Sequence, residues 1–337
     1  MKKIILAVFA FVLFSSHIMY LKLDSYFLEP NTSATIQLFN GTFDKSENAI
    51  DRNRMQDASF IGNSNKILIN ESQWSEKDNI TLLNFQTGEA GTWVAGISTA
   101  PSSIEMDAET FNTYLEHEGI IDMLAWRQEN DKLDGDAVEK YSKHVKTIFQ
   151  VGDKRTNDWQ KSLGYPIEFI PLENPYELNT GDSISVKLLF NGQPLENQLV
   201  YADFKGKKDA HSHADESEGH SHEVEAEEGH SHVEDEGNEP HQHTSGQQLR
   251  TDADGIVTAK LTSDGIWYLQ TIHLLNTEEE GFTHESNWTT LTFEVAHAHG
   301  EASHTHTEEE GDIPSYVYWI GSLFLLGILF LWFKKKN

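Results

Sequence analysis

The chain has 337 residues, a formal net charge of −29 at pH 7 and no cysteine. So large an acidic excess argues against nucleic acid as a partner. The absence of cysteine excludes disulfides, thiolate metal sites and cysteine nucleophiles.

The N-terminus has the features of a secretory signal peptide. Lys2 and Lys3 precede a short apolar run at residues 4–14, and two serines follow it. We predict that residues 1–16 are removed, which makes His17 the first residue of the mature chain. Phe14 or Leu13 would lie where a small residue is usual before such a cut, so an uncleaved N-terminal anchor is the alternative.

Residues 17–175 are predicted to form a β-rich domain with two helices. Apolar residues alternate with polar ones in short runs that indicate strands, at 66–70, 80–85 and 92–97. Asp107 is a helix N-cap, and the helix after it carries the apolar stripe Phe111, Tyr114 and Leu115.

A second helix of this domain is predicted near residues 137–149. The apolar residues Val138, Tyr141, Val145 and Ile148 recur there at a helical spacing. His144 lies beside this stripe and is expected at the surface.

Residues 176–295 are predicted to form a β-sandwich of immunoglobulin-like or transthyretin-like type. The run at 184–190 alternates apolar and polar residues, and Asn191-Gly192 makes a tight turn after it. Further short strands separated by Asx-Gly turns follow, which is typical of an antiparallel sandwich.

One loop of this second domain is far too long for a hairpin. Residues 205–247 carry twelve acids and eight histidines between Asp209 and His243, with no lysine or arginine in that stretch. The composition predicts a disordered insertion. A second segment of this kind, residues 296–314, tethers the domain to the C-terminal segment.

The histidines of both segments form His-x-His pairs. The pairs are His211 and His213, His220 and His222, His230 and His232, His241 and His243, His297 and His299, and His304 and His306. Imidazole nitrogens suit divalent nickel, cobalt, zinc and copper, and the neighbouring carboxylates concentrate cations. The pattern therefore favours metal binding; a pH sensor and an inert acidic filler are the alternatives.

Two further histidines are candidate metal ligands. His17, once exposed by cleavage, would combine its imidazole with a free α-amine. His273 lies in a predicted strand on the same face as Trp267 and Leu269, where a hydrogen-bonded core histidine is the stronger interpretation. His117 and His284 lie near predicted loops.

The C-terminus is predicted to cross a membrane once. Residues 315–333 are apolar and uncharged, and this length spans a bilayer as a helix. Three lysines follow in the tail 334–337, so the tail is expected in the cytoplasm. The body would then lie in the periplasm, attached to the inner membrane.

Longer stretches of the chain resemble a bacterial envelope family. They are "HIMYLKLDSYFLEP", "GISTAPSSIEMDAETFNTYLEHEG", "EKYSKHVKTIFQVG", "LGYPIEFIPLENPYELNTGDSISVKLLFNGQPLENQLV", "TDADGIVTAKLTSDGIWYLQTIHL" and "ESNWTTLTFEV". That family is named for a nickel-uptake substrate-specific transmembrane region and is linked to periplasmic components of cobalt and nickel transport. The resemblance implies a nickel or cobalt ligand and a membrane transporter as partner, and it supports His17 as the mature first residue.

The sequence contains no nucleophile elbow, HExxH motif or phosphate-binding loop. We therefore expect no enzymatic activity. The predicted function is extracytoplasmic binding of a divalent transition metal, nickel or cobalt first, in support of its uptake. Zinc or copper buffering is one alternative, and a structural or adhesion β-sandwich is another.

Overall fold

The computed structural model of the chain describes residues 18–206 and 246–296. This part is mainly β, as expected, and its two α-helices are α1 (Ala108–His117) and α2 (Ile121–Glu129). The strands are β1 (Ile18–Lys22), β2 (Phe27–Leu28), β3 (Ser33–Gly41), β4 (Met55–Gly62), β5 (Asn65–Leu68), β6 (Trp74–Lys77), β7 (Ile80–Gln86), β8 (Gly91–Thr99), β9 (Ser102–Met106), β10 (Ala137–Val151), β11 (Ile167–Pro171), β12 (Ser183–Phe190), β13 (Gln193–Pro194), β14 (Leu199–Lys205), β15 (Gln247–Arg250), β16 (Ile256–Lys260), β17 (Gly265–Asn276) and β18 (His284–Val295).

Within the described residues the strands form three sheets. The central sheet has ten strands. Eight of them have the order β15-β14-β17-β18-β10-β8-β4-β5, and the other two, β2 and β9, each pair with β10. The outer sheet has the order β1-β3-β7-β6, and the small sheet joins β11, β12, β13 and β16.

Both smaller sheets pack against the central sheet through one shared apolar core. Ile36 and Leu83 of the outer sheet and Ile184 and Val186 of the small sheet are all buried in this core with Trp267 of the central sheet. Alternation in β12 buries every second residue, which is the pattern of a strand with one face in a core. The arrangement is consistent with the expected β-sandwich class.

Strand pairing crosses the domain boundary predicted at residues 175 and 176. β10 pairs with β18 in parallel, from Glu139 opposite His284 to Thr147 opposite Thr292, and β11 pairs with β12. Residues on both sides of the boundary therefore share the central sheet, and the described residues belong to one compact unit.

The first predicted helix is confirmed and the second is wrong. Asp107 caps α1, because its Oδ1 accepts the Thr110 N–H at 2.8 Å, and α1 buries Phe111 and Leu115. Residues 137–149 instead belong to the strand β10, and a second helix, α2, precedes it. β10 is buried on both faces along most of its length, so the two-residue alternation that marks a strand is missing from its sequence.

No helix among the described residues is long and apolar enough to cross a membrane. The predicted signal peptide, the greater part of the insertion and of the tether, and the predicted span 315–333 lie outside the described residues.

Candidate functional site

Most of the predicted metal ligands lie outside the described residues. These are His17, His211, His213, His220, His222, His230, His232, His241, His243, His297, His299, His304 and His306. In residues 18–206 and 246–296 no group of three or more His, Asp or Glu side chains is arranged to hold a metal ion.

His273 is the one predicted ligand that the structure describes. Its Nδ1 lies 2.8 Å from Gln198 Oε1, and its ring packs edge-on against Phe190 with the centroids 4.7 Å apart. Burial lowers the pKa of the His273 imidazole. These contacts make His273 a hydrogen-bonded, half-buried side chain of the sandwich.

Two histidines expected at the surface or in loops are buried in β10 and β18. His144 is hydrogen-bonded through both ring nitrogens, with Ser98 Oγ at 2.9 Å from Nδ1 and Ser142 Oγ at 3.0 Å from Nε2. His284 contacts Thr283 Oγ1 through Nδ1 at 2.7 Å, while its buried Nε2 has no hydrogen-bond partner. Both histidines were misplaced for the same reason. Residues 137–149 were predicted to form a helix but belong to β10, which contains His144 and pairs with β18, where His284 lies.

A cluster of buried charged side chains lies where β10 and β18 pass beneath α1. β10 supplies Glu139 and Lys143, which are four residues apart and therefore project from the same face of the strand. Glu118, the C-cap residue directly after α1, joins them. All three side chains are buried, and the sequence analysis did not identify any of them.

Glu139 is held by donors from two neighbouring elements. Its Oε1 accepts a hydrogen bond from Tyr114 Oη at 3.2 Å and another from Ser286 Oγ. Trp288 Nε1 in turn donates to Ser286 Oγ at 2.8 Å. The carboxylate is therefore fixed by a chain of side chains from α1 and β18.

Lys143 lies among acceptors and aromatic faces. Its Nζ donates to Asn40 Oδ1 at 3.3 Å and lies 5.0 Å from the centre of a Trp288 ring and 5.7 Å from that of Tyr141. Ammonium groups are attracted to the faces of aromatic rings. The Arg54 guanidinium, which has the same sign of charge as Lys143, lies nearby, 5.1 Å from the centroid of the Tyr141 ring.

Burial shifts the pKa values of all three groups away from their ordinary values. It raises the pKa of Glu139 to about 7 against the opposing hydrogen bonds of Ser286 and Tyr114, and it raises the pKa of Glu118 well above its ordinary value. It lowers the pKa of Lys143 to about 7, with Arg54 adding to the effect and the two carboxylates opposing it. Such perturbed groups in one place are typical of functional sites.

A cavity of about 60 Å³ adjoins the cluster. Its lining includes Glu118 and Lys143, with Gln270 from β17 and Ile18 and Met19 from β1. Gln270 Oε1 accepts a hydrogen bond from Tyr20 at 2.5 Å. A cavity of this size accommodates a few water molecules.

The sequence contained only weak evidence for this cluster. Glu139 and Lys143 are charged residues in the family-like stretch "EKYSKHVKTIFQVG", and charged side chains on a long buried strand must be paired or hydrogen-bonded inside the protein. Glu118 could not be joined to them from sequence, because only the fold brings α1 over β10.

Both histidine-rich segments are attached at the same end of the central sheet. β14 and β15 are paired, with Ala202 opposite Gln247, so residues 207–245 join two neighbouring strands. Lys205 at the end of β14 pairs with Ile266, which pairs with Glu294 near the end of β18. Adjacent strands are about 4.8 Å apart, so these ends of β14 and β18 lie about 10 Å apart.

A family model described as a domain of unknown function (DUF4198) matches residues 14–274. The chain belongs to this family. The match covers most of the described body, including the buried cluster, and it carries no assignment to nickel uptake. No protein with curated annotation matches the chain.

Several solved structures are similar to the chain at low identity. A Salmonella alpha-2-macroglobulin mutant is 10% identical over 82% of this chain and 15% of its own, with a TM-score of 0.21. The D0-D1 domain of intimin is 12% identical over 82% and 96%, with a TM-score of 0.17. A DUF4785 family protein from Legionella pneumophila is 10% identical over 56% and 39%, with a TM-score of 0.21.

This chain thus spans 15% of the length of the macroglobulin that it matches. TM-scores of this size carry no argument about fold or function.

Proposed function

We propose that this protein is an extracytoplasmic, membrane-anchored collector of divalent transition metal ions that assists their uptake, with nickel or cobalt as the first candidates. Paired histidines among carboxylates bind such ions, and the segment 315–333 anchors the body to the inner membrane. Nickel and cobalt come first because of the resemblance to the nickel-uptake family. The partner is a membrane metal transporter, and no reaction is catalysed.

One observation carries this proposal: the two histidine-rich segments leave the body from strand ends about 10 Å apart. Two segments attached so close together at one end share a small volume, which raises the effective concentration of one set of imidazoles around an ion bound by the other. An ion held by one His-x-His pair can therefore gain ligands from the second segment.

Calorimetric titration of the full chain in detergent with Ni²⁺, Co²⁺, Zn²⁺ and Cu²⁺ tests this proposal. We expect several ions to bind weakly, because segments of this composition lose conformational entropy when they bind. Asn substitution of the histidines in residues 211–243 and in residues 297–306 should each weaken binding. If the segments share ions, the loss of binding free energy on substituting both should be smaller than the sum of the two single losses, because either single change already breaks the shared site. Ser212→Ala, Ser221→Ala and Ser231→Ala, inside the same pairs, form the control and should change nothing.

The metal preference and the cellular phenotype separate the alternatives. A preference for Ni²⁺ or Co²⁺, with poor growth of a deletion strain in low nickel or cobalt, supports uptake. Selective binding of Zn²⁺ or Cu²⁺ with sensitivity to excess metal would instead establish envelope buffering. If the intact chain binds no metal near neutral pH, the metal proposal fails and the structural or adhesion function replaces it.

A further inference from the structure

A groove on the surface of the body lies between α1 and the segment that follows it, and its lining is separate from the buried cluster. Its volume is about 440 Å³, which falls in the range of about 300–1,000 Å³ that is typical of binding pockets. Glu109, Asn112 and Glu116 line one wall; they are three and four residues apart, so they project from one face of α1. Leu124 of α2 and the loop residue Leu133 line the other wall.

Buried hydrogen bonds hold the two walls in place. Arg127 of α2 is 2% exposed, and its guanidinium lies over the Phe111 ring, 4.8 Å from the centroid. Its Nε donates to Asn112 Oδ1 at 2.9 Å, and its Nη2 donates to the Gly135 carbonyl oxygen at 2.7 Å. Asn112 Nδ2 in turn donates to the Leu133 carbonyl oxygen at 2.8 Å. The groove is therefore preformed, and a ligand binds without first having to order it.

The groove combines an apolar floor with an acidic rim. Leu124 and Leu133 provide the floor, and Leu133 is 38% exposed although it is apolar. The rim carries the exposed carboxylates of Glu109, Glu116 and Asp134. Among the described residues none of these three carboxylates forms a salt bridge with a lysine or arginine. Glu116 lies in the last turn of α1, where the helix dipole disfavours a negative charge, so helix stability does not explain it.

The charge around the groove selects a cationic occupant. From Glu105 to Asp136 the sequence has ten acids against two basic residues, Arg127 and Lys132, and Arg127 is buried. An acidic surface attracts positive charge and repels negative charge. It therefore disfavours an anionic lipid surface, and it disfavours a second copy of this chain, whose formal net charge is −29.

From this complementarity we infer that the groove binds a lysine- or arginine-rich segment of a partner protein, with an apolar side chain of that segment packed on Leu124 and Leu133. The carboxylates of the rim pair with the basic side chains, which gives specificity and fast association. Burial of the apolar side chain supplies affinity. The inference does not depend on metal binding, because the histidine-rich segments take no part in it.

Fluorescence anisotropy of labelled peptides with the full chain in a non-ionic detergent tests this inference. The probe is the peptide KKLKKLKK, and two control peptides separate its features. KKSKKSKK lacks the apolar side chains, and EELEELEE reverses the charge. We expect KKLKKLKK to bind, KKSKKSKK to bind at least fivefold more weakly, and EELEELEE not to bind. Added salt should weaken the binding of KKLKKLKK, because it screens the charges of the rim.

Substitution of the rim tests its carboxylates. The combined change Glu109→Gln, Glu116→Gln and Asp134→Asn should lower the affinity for KKLKKLKK at least tenfold. A matched control, which should change the affinity less than twofold, removes three exposed carboxylates elsewhere on the body by Glu177→Gln, Glu278→Gln and Glu280→Gln. The acids of the insertion are present in every variant, so the difference between the two triple variants reports on the groove.

Leu133→Ser tests the apolar floor. The backbone carbonyl of this residue, which accepts from Asn112, is retained in the variant, so the groove should keep its shape. The variant should bind KKLKKLKK more weakly and KKSKKSKK as the parent does. Leu275→Ser, at another exposed leucine, is the control and should change neither affinity.

The inference is overturned if the two triple variants bind KKLKKLKK equally, or if KKSKKSKK binds the parent as tightly as KKLKKLKK does, because either result leaves only unspecific charge attraction. It is also overturned if light scattering shows a dimer of the parent that Leu133→Ser dissociates, since the groove would then be an interface between copies. None of these results changes the titrations with metal ions, so the two proposals fail separately.

Discussion

At the scale of single residues, buried ionisable groups join the layers of this protein. The Lys146 ammonium on β10 lies 3.1 Å from Glu168 Oε2 on β11, and both side chains are almost fully buried. Burial alone would raise the pKa of Glu168, but the Lys146 charge and the hydrogen bonds from Ser162 and the Leu163 N–H keep it below its ordinary value. The ionised pair links the central sheet to the small sheet.

Glu168→Gln should strongly destabilise the fold because it leaves the Lys146 charge buried without its partner. Loss of one member of a buried pair lowers the free energy of unfolding by about 3–5 kcal/mol. Urea denaturation measures this loss. The control is Glu279→Gln, which removes the exposed partner of Lys140 at 2.5 Å and should change stability by less than about 1 kcal/mol. Equal effects of the two variants would contradict the structural role of the buried pair.

His284 should make the protein sensitive to acid. Burial, with the nearby Arg127 charge, lowers the pKa of His284 from 6.5 to about 4. The unfolded chain therefore takes up this proton first as the pH falls, so the stability contribution is complete above about pH 6.5 and is lost between pH 6.5 and 4. The difference of about 2.5 pH units corresponds to at most about 3 kcal/mol.

The variant His284→Asn tests this prediction through the free energy of unfolding measured between pH 7 and pH 4. Asn retains an acceptor near the position of Nδ1 and does not titrate, so its stability should fall less over this range than that of the parent. His117→Asn, at an exposed position on α1, is the control and should follow the parent curve. Parallel curves for the parent and His284→Asn would contradict the assignment.

At the scale of elements, the assignment of β10 shows why periodicity alone misleads. Its apolar residues satisfy a helical spacing, yet the strand lies between two layers and both of its faces are buried. A strand in that position has no polar face, so the two-residue period disappears. α1 was predictable because its cap and its apolar stripe are local features.

The hairpin of β14 and β15 should fold without the insertion. The strand ends are already held by pairing between Ala202 and Gln247, and loop-closure entropy changes by only about 0.6 kcal/mol for each doubling of length. Replacement of residues 207–245 by five Gly and Ser residues should therefore leave the thermal midpoint without metal unchanged or slightly raised. A second variant, in which a Gly/Ser segment of the original length replaces residues 207–245, separates the effect of composition from the effect of length. A marked decrease with both replacements would show that the insertion packs on the body.

At the scale of the whole molecule, the proposed anchor predicts the orientation of the chain. The three lysines at 334–336 should remain in the cytoplasm while the body is exported. A fluorescent reporter that matures only in the cytoplasm should be active when fused to the C-terminus, and a phosphatase active only in the periplasm should not. Replacement of the three lysines by Gln should weaken this preference. A phosphatase signal from the parent fusion would contradict the orientation.

The sequence by itself determined the β class, the turns, the N-cap of α1 and the histidine pairs, because each depends only on residues that are close together in the chain. Hydrophobic alternation and turn chemistry act over a few positions and need no knowledge of distant partners. The candidate ligands in the histidine-rich segments were likewise evident, because their chemistry depends on spacing alone.

Only the tertiary structure decided the buried cluster, the parallel pairing of β10 with β18, and the common attachment of the two histidine-rich segments. Glu118 meets Glu139 and Lys143 because α1 lies over the central sheet, and Lys205 and Glu294, far apart in sequence, are joined through Ile266. These contacts depend on long-range strand order. The physical reason is that burial of both faces of the central sheet selects that order, and no local pattern encodes which layer covers which face.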